Sequence, residues 1–285
     1  MKPSILLCSH DAGGANLLLA WALAHPENSY EALLSGPAIN IYETSKLNYT
    51  QHESIKRLPN SIDKFISSTG WQTDWEKTLI EFCIGNEKDV TVYLDHWVNY
   101  RARFINKGKT LVPNCIWVVD EEALNIVKKE MPEVIKIEVV GNYYEENIIN
   151  NILGNQSVPV DSSSILLCLE PIRDKEVKPM FLWENLLRFL NTEFKNCQFV
   201  IRPHPSGEPD GTEYLQNGLA NSSIVKISQN TLEVDLSCCH TVIGYQSSIF
   251  SIAHKLNKNV MSYFPANRML PLLPHDYINY IPEDL

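Results

Sequence analysis

Short apolar runs alternate with longer amphipathic segments along the first half of the chain. Ile5 to Ser9 is a continuous apolar strand, followed by the loop His10-Asp11-Ala12-Gly13-Gly14 and a helix from about Ala15 to Ala24 that stops before Pro26. A strand is expected near Ala32 to Leu34, then a polar, weakly periodic region from about Asn40 to Ser68. Trp75, Leu79, Phe82 and Cys83 are spaced for one buried face of a helix over Asp74 to Cys83. Val90 to Leu94, Cys115 to Val119 and Ile135 to Val140 read as strands. Between the last two, Glu121 to Glu130 fits a helix with Asp120 as N-cap, acids in its first turn and lysines near its end.

From Gly141 to Ser164 the character changes to Asn, Tyr, Glu, Gly and Ser, with a short helix possible in pattern at Ile148 to Leu153. A second alternation then begins. Strands are expected at Ile165 to Leu169, Gln198 to Ile201, Ile224 to Ile227, Thr241 to Ile243 and Val260 to Tyr263, with helices around Met180 to Phe194 and Ile249 to Leu256. The pattern predicts an α/β chain of two Rossmann-like domains facing across a cleft: residues 1–145, a linker over 146–163, and residues 164–285.

Chemistry concentrates where strands end. In the second half, Arg202-Pro203-His204-Pro205 follows one strand and Gly244-Tyr245-Gln246-Ser247-Ser248 follows another. In an open α/β sheet, such positions meet in the crevice where ligands bind. Two prolines hold His204 on a stiff segment, and Ser247 and Ser248 stand near a helix start, where free amides favour a phosphate. The bland alternative is that the serines only cap the helix and His204 marks a turn. Arg202 is equally readable as an anion ligand or a structural ion-pair partner.

In the first half, Asp95 follows the strand Val90 to Leu94 and is a candidate general base, with His96 beside it as a positioning group. The alternative is an Asp satisfying loop amides next to a packed Trp97. His10 and Asp11 supply acid–base or hydrogen-bonding groups, and Gly13 and Gly14 let backbone approach a ligand. Asp11 is the second candidate base, although a plain strand-to-helix turn explains the same loop. No HxH, HExxH or DxD-like spacing points to a metal.

Composition narrows the partners. The 285 residues carry a net charge of −10 and no basic run interleaved with aromatics, which argues against nucleic acid. Seven scattered cysteines without a CxxC pair read as free core thiols of a cytoplasmic protein. The apolar run at the N-terminus is too short for a signal peptide, and no stretch approaches a membrane span, so any association with the inner membrane would be peripheral.

The order of these parts resembles the GT-B glycosyltransferases, particularly bacterial sialyltransferase-like enzymes that use CMP-activated nonulosonic acids. Asp95-His96-Trp97 stands in the place of that family's acidic motif, His204-Pro205 matches its HP motif, and Ser247-Ser248 its serine pair. The acidic motif departs from the usual two acids and a glycine. The resemblance implies a first domain for a surface-glycan acceptor and a second for the nucleotide-sugar donor. It further implies an inverting displacement with Asp95 or Asp11 as base, and with His204, Ser247 and Ser248 at the leaving phosphate. Glu170 would meet the ribose or base, Gln246 and Arg202 the donor, and His10, Gly13, Gly14 and His96 the substrate; neither a metal nor another cofactor is required. Non-hydrolysing UDP-sugar 2-epimerases share the architecture and are the enzymatic alternative, and a catalytically inactive nucleotide-sugar-binding module is the non-enzymatic one.

Overall fold

A computed structural model describes residues 2–70, 73–154, 163–172, 177–204, 209–219, 224–267, 269 and 273–283. Packing divides the chain into two units, Met1–Asn147 and Ile148–Leu285.

In the first unit the chain runs β1 (Ser4–Ser9), α1 (Ala12–Ala24), β2 (Ser29–Leu34), α2 (Pro37–Glu43), β3 (Tyr49–Gln51) and β4 (Lys64–Ser67). It continues through α3 (Trp75–Gly85), β5 (Val90–Tyr93), α4 (Tyr100–Arg103), and a hairpin of β6 (Ile105–Asn106) with β7 (Lys109–Thr110). Then come β8 (Cys115–Val118), α5 (Glu121–Glu130), β9 (Lys136–Val139) and α6 (Tyr143–Gly154), within which the division between units falls. Seven strands form one parallel sheet in the order β3-β2-β1-β4-β5-β8-β9. The chain winds outward from β1 to β3, then returns to lay β4 on the other side of β1. That reversal makes the carboxyl ends of β1 and β4 a topological switch point.

The second unit repeats the plan. Its elements are β10 (Ser164–Cys168), α7 (Pro179–Glu193), β11 (Gln198–Arg202), α8 (Thr212–Leu219), β12 (Ile224–Ile227) and α9 (Leu232–Cys238), followed by β13 (Thr241–Gly244), α10 (Ile249–Lys255), β14 (Asn259–Ser262) and β15 (Asn279–Tyr280). The six strands are parallel in the order β12-β11-β10-β13-β14-β15, with the switch point between β10 and β13.

Both central strands are apolar without alternation because helices cover both faces of a parallel sheet. Leu6, Leu7 and Cys8 of β1 and Leu166 and Leu167 of β10 have no exposed surface or almost none. In the second unit Leu186 and Leu190 of α7, Phe199, Ile201 and Ile243 close one continuous core. All seven cysteines are free thiols, five of them buried, and burial pushes Cys83 up to about 12 and Cys239 up to about 11. No helix among the described residues is long and apolar enough to cross a membrane.

Several elements differ from the sequence pattern. β4, in the middle of the first sheet, lies inside the stretch expected to be irregular. It is only four residues long, too short for a period to register. The helix α1 begins at Ala12 rather than Ala15, so both glycines fall in its first turn. The short helix expected over Ile148 to Leu153 is the end of the longer α6, and residues 155–162 of the expected linker lie outside the described residues.

The start of α5 follows the expected capping. Asp120 accepts the Ala123 N–H at 2.7 Å. The same carboxylate accepts the Trp97 indole N–H at 2.8 and 2.9 Å to its two oxygens, which ties the loop after β5 to the helix. Asp120→Ala is therefore expected to cost about 2 kcal/mol, a lost cap plus the lost hydrogen bonds from the Trp97 indole. Chemical denaturation measures it; a midpoint equal to that of the unaltered protein would show that the cap and anchor carry no weight.

Candidate functional site

The carboxyl ends of β1, β2, β4 and β5 bring six polar side chains of the first unit together. Ser9 closes β1 and His10 and Asp11 follow it; Ser68 and Thr69 follow β4; Asp95 lies just past β5. The His10 imidazole Nδ1 and Asp11 Oδ1 are 2.7 Å apart. With the proton on Nδ1 that bond donates to the carboxylate and leaves Nε2 as a base. The hydroxyls of Ser9 and Ser68 are 2.7 Å apart and wholly buried, and they join the ends of β1 and β4.

Three glycines set how close these side chains come. A Cβ on Gly13 would lie 2.4 Å from Asp95 Oδ2, one on Gly70 2.4 Å from Asp11 Oδ2, and one on Gly36 2.5 Å from His10 Nε2. Each acid–base side chain thus rests against a backbone that only glycine leaves open. Gly36 also has φ +54° and ψ −139°, a conformation other residues avoid. Gly13 and Gly14 are expected to let backbone approach a ligand; in the fold Gly13 admits Asp95, and Gly14 admits Ser68, whose Cβ would be 2.4 Å from an added Cβ.

Two residues that sequence reasoning did not single out hold this cluster. Arg103, buried, donates from Nη1 to Asp95 Oδ1 at 2.8 Å and to the Thr69 hydroxyl and carbonyl at 3.0 and 3.2 Å, and from Nε to the Val98 carbonyl at 3.2 Å. It comes back to Asp95 because Asn99, in the left-handed region at φ +58°, turns the chain into α4. His96 Nδ1 accepts the Trp97 N–H at 3.0 Å, and its ring packs edge-on against the indole. The second residue is Glu76, in the first turn of α3 and 1% exposed. Its Oε1 accepts the His10 N–H at 2.9 Å and the Ser68 hydroxyl at 3.4 Å, whereas Oε2 is buried with no hydrogen-bond partner. Burial, reinforced by the nearby Asp11 charge, raises the Glu76 carboxyl above the usual range against the opposing pull of its hydrogen bonds and His10.

In the second unit the structure brings Glu170 and Gln246 together at the switch point, the Gln246 N–H donating to Glu170 Oε1 at 3.3 Å. Arg202 Nη1 lies 2.8 Å from the buried Asp235 carboxylate and donates to the Asn230 carbonyl at 3.0 Å. The His204 N–H donates to Asp210 Oδ2 at 2.8 Å, and Asp210 Oδ1 takes both the N–H and the hydroxyl of Thr212 at the start of α8. Ser247 Oγ accepts the Ile249 N–H at 3.4 Å, a helix-start bond, and Ser248 is exposed at the N-cap of α10. Pro205 lies outside the described residues. Among the described residues no three His, Cys, Asp or Glu side chains are grouped to hold a metal ion.

No family model matches the chain, and no curated protein matches it by sequence. Solved structures do resemble it. UDP-GlcNAc 2-epimerase from Methanocaldococcus jannaschii aligns at TM-score 0.63 and 14% identity, over 100% of this chain and 89% of that one. S. aureus MnaA, in a structure with UDP, aligns at 0.62 and 13%, over 91% and 78%. A UDP-glucosyltransferase from Polygonum tinctorium aligns at 0.54 and 9%, over 93% and 80%. At such identities the likeness establishes the fold, which is the two Rossmann-like domains of GT-B enzymes.

Two predictions follow from the packing of the first unit. Gly36→Ala combines the disfavoured backbone with a collision at the imidazole and is expected to cost about 2 kcal/mol, read by denaturant unfolding; an unchanged midpoint would contradict the contact. Glu76 has a folded-state pKa above its unfolded value, so its contribution is present below about pH 4.3, the unperturbed value for glutamate, and is lost as pH rises through the folded value. Relative to the unaltered protein, Glu76→Gln should therefore gain in melting temperature from pH 4 to pH 8, and a difference independent of pH would refute the shift.

Proposed function

We propose that this protein is an enzyme acting on a nucleotide-linked sugar, with UDP as the nucleotide, and that the strand-end cluster of the first unit transfers protons at the sugar ring. The observation that carries this reading is the His10–Asp11 pair at 2.7 Å, placed at a switch point that also gathers Asp95 and Glu76. Inverting a ring carbon that bears a hydrogen, as a 2-epimerase does, requires one group to remove that proton while the C1–O bond to UDP breaks and the electron pair forms a C1=C2 double bond; a proton is then returned to the opposite face of carbon 2 as UDP adds back at carbon 1. Such chemistry needs several acids and a histidine around one ring. His10, Asp11, Asp95 and Glu76 come from separate stretches of the sequence and converge at the ends of β1, β4 and β5.

Within that reading, the imidazole of His10 is the proton carrier and Asp11 orients it. Asp95 has Oδ1 committed to Arg103 and presents Oδ2 as an acceptor for a ring hydroxyl. In the second unit, Glu170 would accept ribose hydroxyls, and His204, Ser247 and Ser248 would meet the diphosphate, while Arg202 is a structural ion pair. The choice of UDP over CMP is supported by the S. aureus structure with UDP and by the Neisseria meningitidis 2-epimerase bound to UDP-GlcNAc, which aligns at TM-score 0.61 and 12% identity.

Glycosyl transfer is the second reading, favoured by the UDP-glucosyltransferase among the structural neighbours. There Asp95 or Asp11 would take the proton from an acceptor hydroxyl, and the sialyltransferase-like form would draw on a CMP donor. One pair of experiments separates these. UDP and not CMP should raise the melting temperature, by mass action on the folded state. In deuterated water without any acceptor, UDP-GlcNAc should gain deuterium at carbon 2, and Asp11→Asn should slow that exchange about 100-fold or more. Exchange absent without an acceptor, with sugar transfer in its presence, would establish the second reading. Stabilisation by CMP alone would return the donor to a nonulosonate.

A further inference from the structure

We propose that Glu76 is a positioning residue for the His10–Asp11 pair, holding the imidazole through the His10 amide and coupling its own ionisation to theirs. This rests on the reading that His10 and Asp11 are the proton-transfer pair, and it assigns a third carboxyl to that unit.

The geometry is specific. Glu76 reaches from the first turn of α3 to the backbone at the end of β1, where Oε1 accepts the His10 N–H at 2.9 Å. The same oxygen takes the Ser68 hydroxyl, and Ser68 is in turn bonded to Ser9. Ser9, Ser68 and Glu76 are all at most 1% exposed, so this network is sealed from water. A buried network of this kind rigidifies what it holds when its members are satisfied. Here one member is not: Oε2 has no partner. A purely structural acceptor for one amide and one hydroxyl would be better supplied by a neutral side chain, because an ionised carboxylate with an unmet oxygen carries a desolvation cost.

The titratable groups whose charge acts on Glu76 are His10 and Asp11 at the end of β1, and Glu76 acts in turn on the Cys8 thiol of β1. Burial pushes the Cys8 thiol well above its usual value, which leaves His10 and Asp11 as the charge partners beside Glu76. When Glu76 loses its proton, the negative charge behind His10 favours the imidazolium; when it is protonated, that support disappears.

The test needs no substrate, so it stands apart from whether UDP sugars are turned over. The imidazole carbons are labelled, the His10 signal is assigned by its loss in His10→Asn, and its titration is followed by NMR. In Glu76→Gln, which keeps the acceptor oxygen but cannot ionise, the His10 midpoint should fall, because a negative charge behind the imidazole is removed. A folded Glu76→Gln protein with an unmoved midpoint would overturn the proposal. Should that variant not fold, the unaltered protein decides: with labelled glutamate carboxyls, the His10 curve should show an inflection at the Glu76 midpoint, and a curve without one would overturn it.

Discussion

Everything at the candidate site depends on the contact of acid–base side chains with bare glycine backbone. Asp95 on Gly13, Asp11 on Gly70 and His10 on Gly36 approach to distances at which a single methyl group would displace them. Parallel strands supply the frame, because they end together and aim their last residues into one crevice. The glycines convert that frame into a cluster by letting side chains from β1 and β5 lie flat on neighbouring loops. Two of these glycines stand in loops that follow β2 and β4, and the third stands in the first turn of α1. Substituting any of them acts on the position of a titratable group, not only on the local backbone.

This arrangement is expensive in polar burial, and the first unit offsets the cost by bonding. Arg103 gives hydrogen bonds to Asp95, Thr69 and Val98, so one guanidinium fixes the ends of β4 and β5 together. Its planar fork serves several acceptors at once, which a lysine could not do. Glu76 keeps one carboxylate oxygen unmet in the interior. Sites that handle protons are where such tension is expected to persist, since a fully satisfied carboxyl has little reason to change its charge. The second unit carries no comparable tension at Arg202, whose partner Asp235 is also bonded by Ser228 and Asn230.

The alternating plan of both units was legible because continuous apolar runs mark strands covered on both faces, and Asp120 with its downstream acids marks the start of α5. β4 escaped because Lys64-Phe65-Ile66-Ser67 is too short to show a period, and with it went Ser68, Thr69 and Gly70, whose roles exist only through their neighbours on β1. His10, Asp11 and Asp95 were visible from their places after strands. Arg103 and Glu76 were not: each sits on a helix and reaches the site through a turn of chain that residue spacing does not encode. Gly36 and Gly70 carried a signal in principle, as single glycines directly after β2 and β4, but recognising it required β4 to be placed first.

The most direct measurement is an experimental structure of the protein soaked with UDP-GlcNAc. The sugar ring is expected within hydrogen-bond distance of His10 or Asp11, with a ring hydroxyl on Asp95 Oδ2. A diphosphate lying against these carboxylates, or a sugar bound away from the ends of β1, β4 and β5, would contradict that placement.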